Sequence, residues 1–127
     1  MPEKHLFEYA VIRVMPRVER EEFLNVGVIL YCPALGFLQT IYELDASRLH
    51  AFAPDLELPE LEERLQAFKR ICAGGTAGGT IGQLPLASRF RWLTATRSTI
   101  VQTSKVHPGL CADAQQTLTR LHAQLVK

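Results

Sequence analysis

The segment from His5 to Met15 constrains the fold most, because it is apolar on both sides of an extended chain. Alternate residues of a strand point to opposite faces of a sheet. One face would carry Phe7, Tyr9, Val11 and Met15, and the other Leu6, Ala10, Ile12 and Val14. A strand of this kind must be covered on both sides, by this chain or by a partner. The sequence therefore predicts a central strand that ends at Pro16, since proline cannot donate to a sheet ladder.

Three further segments are predicted to be strands, and one more is predicted to be a turn. Residues Asn25 to Cys32 are dense in β-branched side chains, and Phe37 to Glu43 return after a short turn that contains Gly36, so the pair predicts a hairpin. Ser98 to Ser104 predict a fourth strand, and His107-Pro-Gly predicts a turn.

Helical periodicity appears in four places. Asp45 caps a predicted short helix through Phe52, and Asp113 begins a final helix. The clearest helix follows Pro59 and ends at Gly74, and Leu86 to Leu93 predict a short one. The glycine-rich stretch from Gly74 to Gly82 predicts a flexible loop. The helix after Pro59 has an apolar stripe of Leu58, Leu61, Leu65, Phe68 and Cys72, and the final helix has one of Ala114, Leu118, Leu121 and Leu125.

These elements predict an α+β protein with an antiparallel sheet of three to four strands and two main helices packed on one face. The length of 127 residues predicts one domain, 1–127. The strand order stays open.

The composition disfavours some partners and compartments for this protein. Fourteen basic and thirteen acidic residues give a net charge of +1, which disfavours nucleic acid as a partner. The longest apolar stretch, from Val26 to Cys32, is too short for a membrane span. Three widely spaced cysteines favour a reducing compartment, so we expect a cytoplasmic protein with free thiols.

The sequence lacks the patterns of common catalytic sites. Its four histidines are far apart and no Cys-x-x-Cys pair occurs, so we expect no metal site. The glycine-rich stretch follows a helix and has no lysine, which disfavours a phosphate loop and a nucleotide cofactor. No nucleophile motif is present, so no residue is assigned a catalytic role, and enzymatic activity stays open.

Two arginine features are candidates for binding. Arg13 lies between apolar residues of the first strand, and a charge there must be paired, reach solvent or bind an anion or partner. Glu8, Glu43 and Asp45 are its candidate ion-pair partners. The run from Arg89 to Trp92, followed by Arg97, could stack on bases or form a protein-binding hot spot, unless Trp92 is a core residue.

Two motifs carry a family resemblance. Residues 7–31 (FEYAVIRVMPRVEREEFLNVGVILY) and 89–102 (RFRWLTATRSTIVQ) resemble the bacterial domain-of-unknown-function family 3037. The resemblance implies no activity. It implies an accessory role, with a HipA-like kinase as one candidate partner, because some members are encoded beside one. The motif positions are Tyr9, Arg13, Arg17, Arg20, Asn25, Gly27, Arg91, Arg97, Ser98 and Gln102.

Two functions are compatible with these features. The first is a non-enzymatic module that binds another protein, which could be a second copy of the chain. The second is an enzyme or enzyme subunit that acts on a phosphorylated or nucleic-acid substrate through Arg13, Arg91, Arg97 and His107. Arginines converging in a pocket would favour the enzyme, and arginines paired beside an apolar patch would favour the module. The candidate binding residues are Tyr9, Arg13, Asn25, Arg89, Arg91, Trp92, Arg97 and Gln102.

Overall fold

The structure is a computed structural model that describes residues 3–95, 97 and 99–127. Ser98, where the fourth strand was expected to begin, lies outside the described residues. The strands and helices, in chain order, are β1 (His5–Val14), β2 (Leu24–Cys32), β3 (Phe37–Tyr42), α1 (Ala46–Phe52), α2 (Leu58–Ala73), α3 (Gly79–Gly82), α4 (Leu86–Leu93), β4 (Val101–Thr103), β5 (His107–Cys111) and α5 (Ala114–Leu125).

The five strands form one antiparallel sheet with β1 at its centre. Strand β2 pairs with one edge of β1, and β3 lies beyond β2. The other edge of β1 pairs with β5 along its first half and with β4 along its last residues. The predicted α+β class and antiparallel sheet are confirmed, with five strands in place of three to four.

Strand β5 replaces the turn expected at His107-Pro-Gly, and that expectation was wrong. Pro and Gly favour turns locally, but an edge strand tolerates a proline. Gly109 lies opposite Phe7 in the ladder, and a Cβ at Gly109 would lie 2.5 Å from the Phe7 ring. The glycine therefore lets β5 pair closely with β1 over that ring.

The two main helices pack on opposite faces of the sheet, so the expectation of one shared face was wrong. The face covered by α1, α2 and α4, here the α2 face, includes Ile29 and Tyr31 of β2. The face covered by α5, here the α5 face, includes Val28 and Leu30. Because β2 as well as β1 is apolar on both sides, each face needs its own helical layer.

A bulge in β2 sets the position of one polar residue. The register pairs Ile12 with Gly27 and Arg13 with Asn25, so Val26 is skipped. At Gly27 an added Cβ would lie 2.6 Å from a backbone oxygen of β3, so glycine lets the chains approach here. The bulge brings Asn25 directly opposite Arg13.

The predicted helices are confirmed, and their caps form as expected. Asp45 accepts a hydrogen bond from the Arg48 amide at 3.1 Å, and Asp113 accepts one from the Gln116 amide at 3.0 Å. The glycine-rich stretch is not a plain loop. It forms a 3-10 turn (Thr76–Gly78) followed by α3, and both pack against α2.

Candidate functional site

The sheet separates the predicted binding residues into two groups. The α5 face carries Tyr9, Arg13, Asn25 and Gln102. Tyr9 and Arg13 alternate along β1 with residues that face α2, and Asn25 and Gln102 are the cross-strand partners of Arg13. Arg89, Arg91 and Trp92 belong to α4, which packs on the α2 face, and Arg97 stacks on Trp92. The structure therefore does not bring all eight together.

Arg13 is the centre of the group on the α5 face. It lies between Asn25 and Gln102 in one cross-strand row. Its guanidinium carbon lies 4.0 Å from the centroid of the Phe23 ring, within the range of a cation–π contact. The Arg13 Nε is buried and makes no hydrogen bond with the residues that the structure describes. Burial lowers the pKa of Arg13.

The expected ion pair of Arg13 does not form. Glu8 binds an arginine of α4, and Asp45 caps α1. Glu43 lies 3.4 Å from the Nζ of Lys127. Within the described ranges no carboxylate lies within 4.0 Å of Arg13, so the ion-pair interpretation was wrong.

The two neighbours of Arg13 are held by the backbone. The Nδ2 of Asn25 donates to the carbonyl of Leu125 at 3.0 Å, which fixes the amide against the end of α5. Its Oδ1 is buried and accepts no hydrogen bond in the described part of the chain. The Nε2 of Gln102 donates to the carbonyl of Thr99 at 2.8 Å. These contacts leave Arg13 as the one charge in a row of neutral amides.

Tyr9 has a packing role on the same face. Its ring lies 5.4 Å from the ring of His107 and 6.0 Å from that of Phe7, measured between centroids. Contacts of this kind stabilise a cross-strand aromatic pair. Tyr9 and His107 therefore belong to the aromatic packing between β1 and β5.

Arg89 binds the end of α2. Its Nη1 donates to the carbonyls of Ile71 and Cys72 at 2.9 and 2.8 Å, and its Nε donates to the carbonyl of Leu84 at 3.0 Å. The last carbonyls of a helix have no partner within it, and the helix dipole attracts a cation there. Arg89 therefore caps α2 and leaves little of its guanidinium for a ligand.

Arg91 and Trp92 are exposed on the outer side of α4. Both Nη atoms of Arg91 donate to the Glu8 carboxylate, at 3.1 and 3.2 Å. Trp92 is 41% exposed, so it is not a core residue. Arg97 lies 4.1 Å over the Trp92 ring and also donates to the Trp92 carbonyl. Burial lowers the pKa of Arg97.

An exposed apolar surface lies beside the Arg91–Glu8 pair, and sequence reasoning missed it. Leu6 and Leu110 are cross-strand partners, and they are 56% and 63% exposed. Pro108 lies opposite Glu8 in the next inward row and is also exposed. We call Leu6, Pro108 and Leu110 the leucine patch. The sequence signal was present in Leu110, but the turn expected at His107 hid its pairing with Leu6.

The residues of the enzyme hypothesis do not form one pocket. A cleft of about 520 Å³ opens between the β1–β2 connector and the α1–α2 loop, lined on one side by Arg17 and Arg20 and on the other by acidic residues such as Asp55 and Glu57. None of Arg13, Arg91, Arg97 and His107 lines this cleft. Among residues 3–95, 97 and 99–127, no cluster of metal-ligating side chains was found, and no helix is long and apolar enough to cross a membrane.

The fold and these surfaces define an α+β protein whose sheet is covered on both faces, with an exposed apolar corner and a separate arginine that has no ion-pair partner among the residues the structure describes. The family model described as "Protein of unknown function (DUF3037)" matches residues 9–126, and the chain belongs to that family. No curated protein and no solved structure matched the chain.

Proposed function

We propose that this protein is a non-enzymatic module that binds another protein through the leucine patch. The observation that carries the proposal is the exposed Leu6–Leu110 row beside the bidentate Arg91–Glu8 pair. A cluster of exposed large apolar side chains with a charged rim is typical of protein-binding surfaces. The burial of both leucines against a partner would remove apolar area that the fold itself leaves in water.

The position of the patch also supports a face contact. Leu6 and Leu110 project from the sheet surface, while Pro108 lies in the edge strand and cannot donate a backbone hydrogen bond. A strand added at this edge would find no backbone N–H donor at Pro108. The partner therefore approaches the face of the sheet, with Arg91 and Glu8 at the rim of the contact.

The enzyme alternative has less support. It requires Arg13, Arg91, Arg97 and His107 to act on one substrate, and the sheet separates Arg13 and His107 from the α4 group. The candidate partners of the module are a second copy of the chain and a HipA-like kinase. Both are tested by the same surface variant.

The test compares Leu6→Ser/Leu110→Ser with Leu84→Ser, a control that removes another exposed leucine. Tagged proteins are purified from the native host, captured proteins are identified by mass spectrometry, and the chain's own mass is measured by light scattering. We expect wild type and Leu84→Ser to retain a partner, or to dimerise, and the double variant to lose it. Retention of every partner by the double variant, with an unchanged unfolding midpoint, would contradict the proposal.

A further inference from the structure

We propose that Arg13 forms a binding site for a carboxylate on the α5 face, where Phe23 holds its guanidinium in position. The structure shows the guanidinium 4.0 Å over that ring, in a row between two neutral amides. Phe23 is itself 39% exposed, so the stacked pair is accessible from solvent on its outer side. A ligand carboxylate would accept from the outer Nη groups of Arg13 and pack its adjoining carbon atoms beside Phe23.

The first argument is the unmatched charge. In the described part of the chain the Arg13 Nε is buried without a hydrogen bond, and Glu8, Glu43 and Asp45, the carboxylates expected to pair with it, contact other residues. A partly desolvated guanidinium without a counter-ion is costly to a fold. Proteins tolerate such a cost at sites that trade stability for binding.

The second argument is the rigid geometry. Stacking on Phe23 limits the rotation of the guanidinium plane, and the neighbouring amide of Asn25 is fixed by its bond to the Leu125 carbonyl. An arginine held in one plane presents two parallel donors, which match the two oxygens of a carboxylate. Less conformational entropy is lost on binding when the donor is already in place.

The charge favours a carboxylate over a phosphate. Asn25 and Gln102, the cross-strand neighbours, are neutral, so the row supplies one positive charge. A carboxylate is a planar monoanion and is balanced by one guanidinium. A phosphate near neutral pH carries close to two charges, and its second charge would have no counterpart in this row.

The site is independent of the leucine patch. Arg13 projects from the α5 face, whereas Leu6 lies on the α2 face of the same strand, seven positions earlier. Loss of a partner at one face therefore does not predict loss of binding at the other. An NMR titration that observes the Arg13 resonance itself tests this site alone. A negative result in that titration is therefore distinguishable from failure of the proposed function of the leucine patch.

The test is an NMR titration of the arginine Nε–H resonances. The Arg13 resonance is assigned as the one that disappears in Arg13→Lys. Three probes are titrated at constant ionic strength. N-acetylglycine carries a terminal carboxylate, and N-acetylaspartate α-amide carries a side-chain carboxylate. The third probe is inorganic phosphate. We expect saturable movement of the Arg13 resonance with at least one carboxylate, and weaker binding of phosphate.

Two variants complete the test. Arg13→Met keeps an apolar stem beside Phe23, and Arg17→Met removes an exposed arginine of the next connector as the control. Carboxylates should raise the urea midpoint of wild type and Arg17→Met, and this shift should disappear in Arg13→Met. Arg13→Lys should bind roughly tenfold more weakly, since lysine lacks the bidentate donors. If Arg13→Met fails to fold, the titration of the wild-type protein still shows whether Arg13 binds a carboxylate.

Three results would overturn the proposal. The first is no saturable shift of the Arg13 resonance with either carboxylate. The second is phosphate binding as tight as carboxylate binding, which would contradict the ligand class. The third is an equal midpoint shift in wild type and Arg13→Met, which would place the effect elsewhere.

Discussion

The two faces of the sheet differ in how completely their buried polar groups are paired. On the α2 face, the Thr40 hydroxyl lies 3.2 Å from the Cys72 sulfur, and Tyr42 donates to Glu62 at 2.9 Å. In the described part of the chain, the buried side-chain nitrogen and oxygen atoms without a partner all belong to the α5 face. They are Arg13 Nε, Asn25 Oδ1 and both ring nitrogens of His122.

This difference suggests that the α2 face contributes most to the stability of the fold and that the α5 face is used for binding. Satisfied polar groups and a large apolar cluster make the α2 face the main source of fold stability. Unsatisfied groups on the α5 face reduce stability, and their persistence is expected where a surface has a second task. The contrast can be tested by substitutions on each face.

The largest effect is expected in the core of the α2 face. Leu65 of α2 is fully buried in the larger apolar cluster. Leu65→Ala should lower the free energy of unfolding by about 2–5 kcal/mol, through lost transfer energy and a cavity. Urea unfolding followed by circular dichroism measures the change. A loss of only a few tenths of a kcal/mol would mean that the packing of α2 on the sheet is wrong.

Two arginines of α4 should differ in their effect on stability. Arg89→Ala removes three hydrogen bonds to carbonyls, two of them at the end of α2, and should cost about 1–3 kcal/mol. Arg91→Ala breaks an ion pair whose arginine is 60% exposed, and should cost less than about 1 kcal/mol. Both are measured in the same urea series. Equal costs would contradict the capping role of Arg89.

Arg13→Met should change stability little despite the position of Arg13 in a central strand. If Arg13 were the centre of a structural ion pair, its loss would cost about 1–3 kcal/mol. Among residues 3–95, 97 and 99–127 no such pair forms, so the lost cation–π contact, worth about 0.5–1 kcal/mol, is offset by removal of the unsatisfied Nε. A change within about 0.5 kcal/mol is expected from thermal unfolding. A loss near 3 kcal/mol would indicate that Arg13 does have a structural role.

The pH dependence of stability should report the buried His122. Burial lowers the pKa of His122, although Glu43, 4.0 Å away, acts in the opposite direction. The unfolded chain therefore takes up the proton first as the pH falls below about 6.5, and this residue's contribution to stability decreases toward its lowered pKa. His122→Gln should flatten this part of the curve. An identical acid dependence in the variant would contradict the assignment.

The sequence predicted local structure well, because local structure depends on periodicity and caps. The stripe through Leu61, Leu65 and Phe68 and the cap at Asp113 gave α2 and α5 almost to the residue. The side of the sheet that each helix covers was not predicted, because it depends on how strands far apart in the chain pair. Strand β5 was missed for the same reason, since Gly109 has a role only opposite Phe7.

The candidate site was predicted in part. Arg13 was named from its position among apolar residues of a strand and Asn25 from the family motif, and the sheet places the two side by side. The sequence could not show that Glu8, Glu43 and Asp45 are engaged elsewhere, because their contacts are with α4, with Lys127 after α5, and with α1, respectively. Nor could it show that Phe23 stacks on the guanidinium, since residues 16–23 contain no strand or regular α-helix pattern.

The central position of β1 has a consequence for the order of events during synthesis. Its first partner, β2, follows after the nine residues 15–23, so this hairpin can form before synthesis of the chain is complete. Its other edge waits for β4 and β5, and the hydrogen bond from the Val11 amide to the Ser104 hydroxyl spans 93 residues. Such distant pairing slows folding and leaves a strand edge open to other nascent chains. Chaperone demand should therefore be greatest before residue 101 emerges.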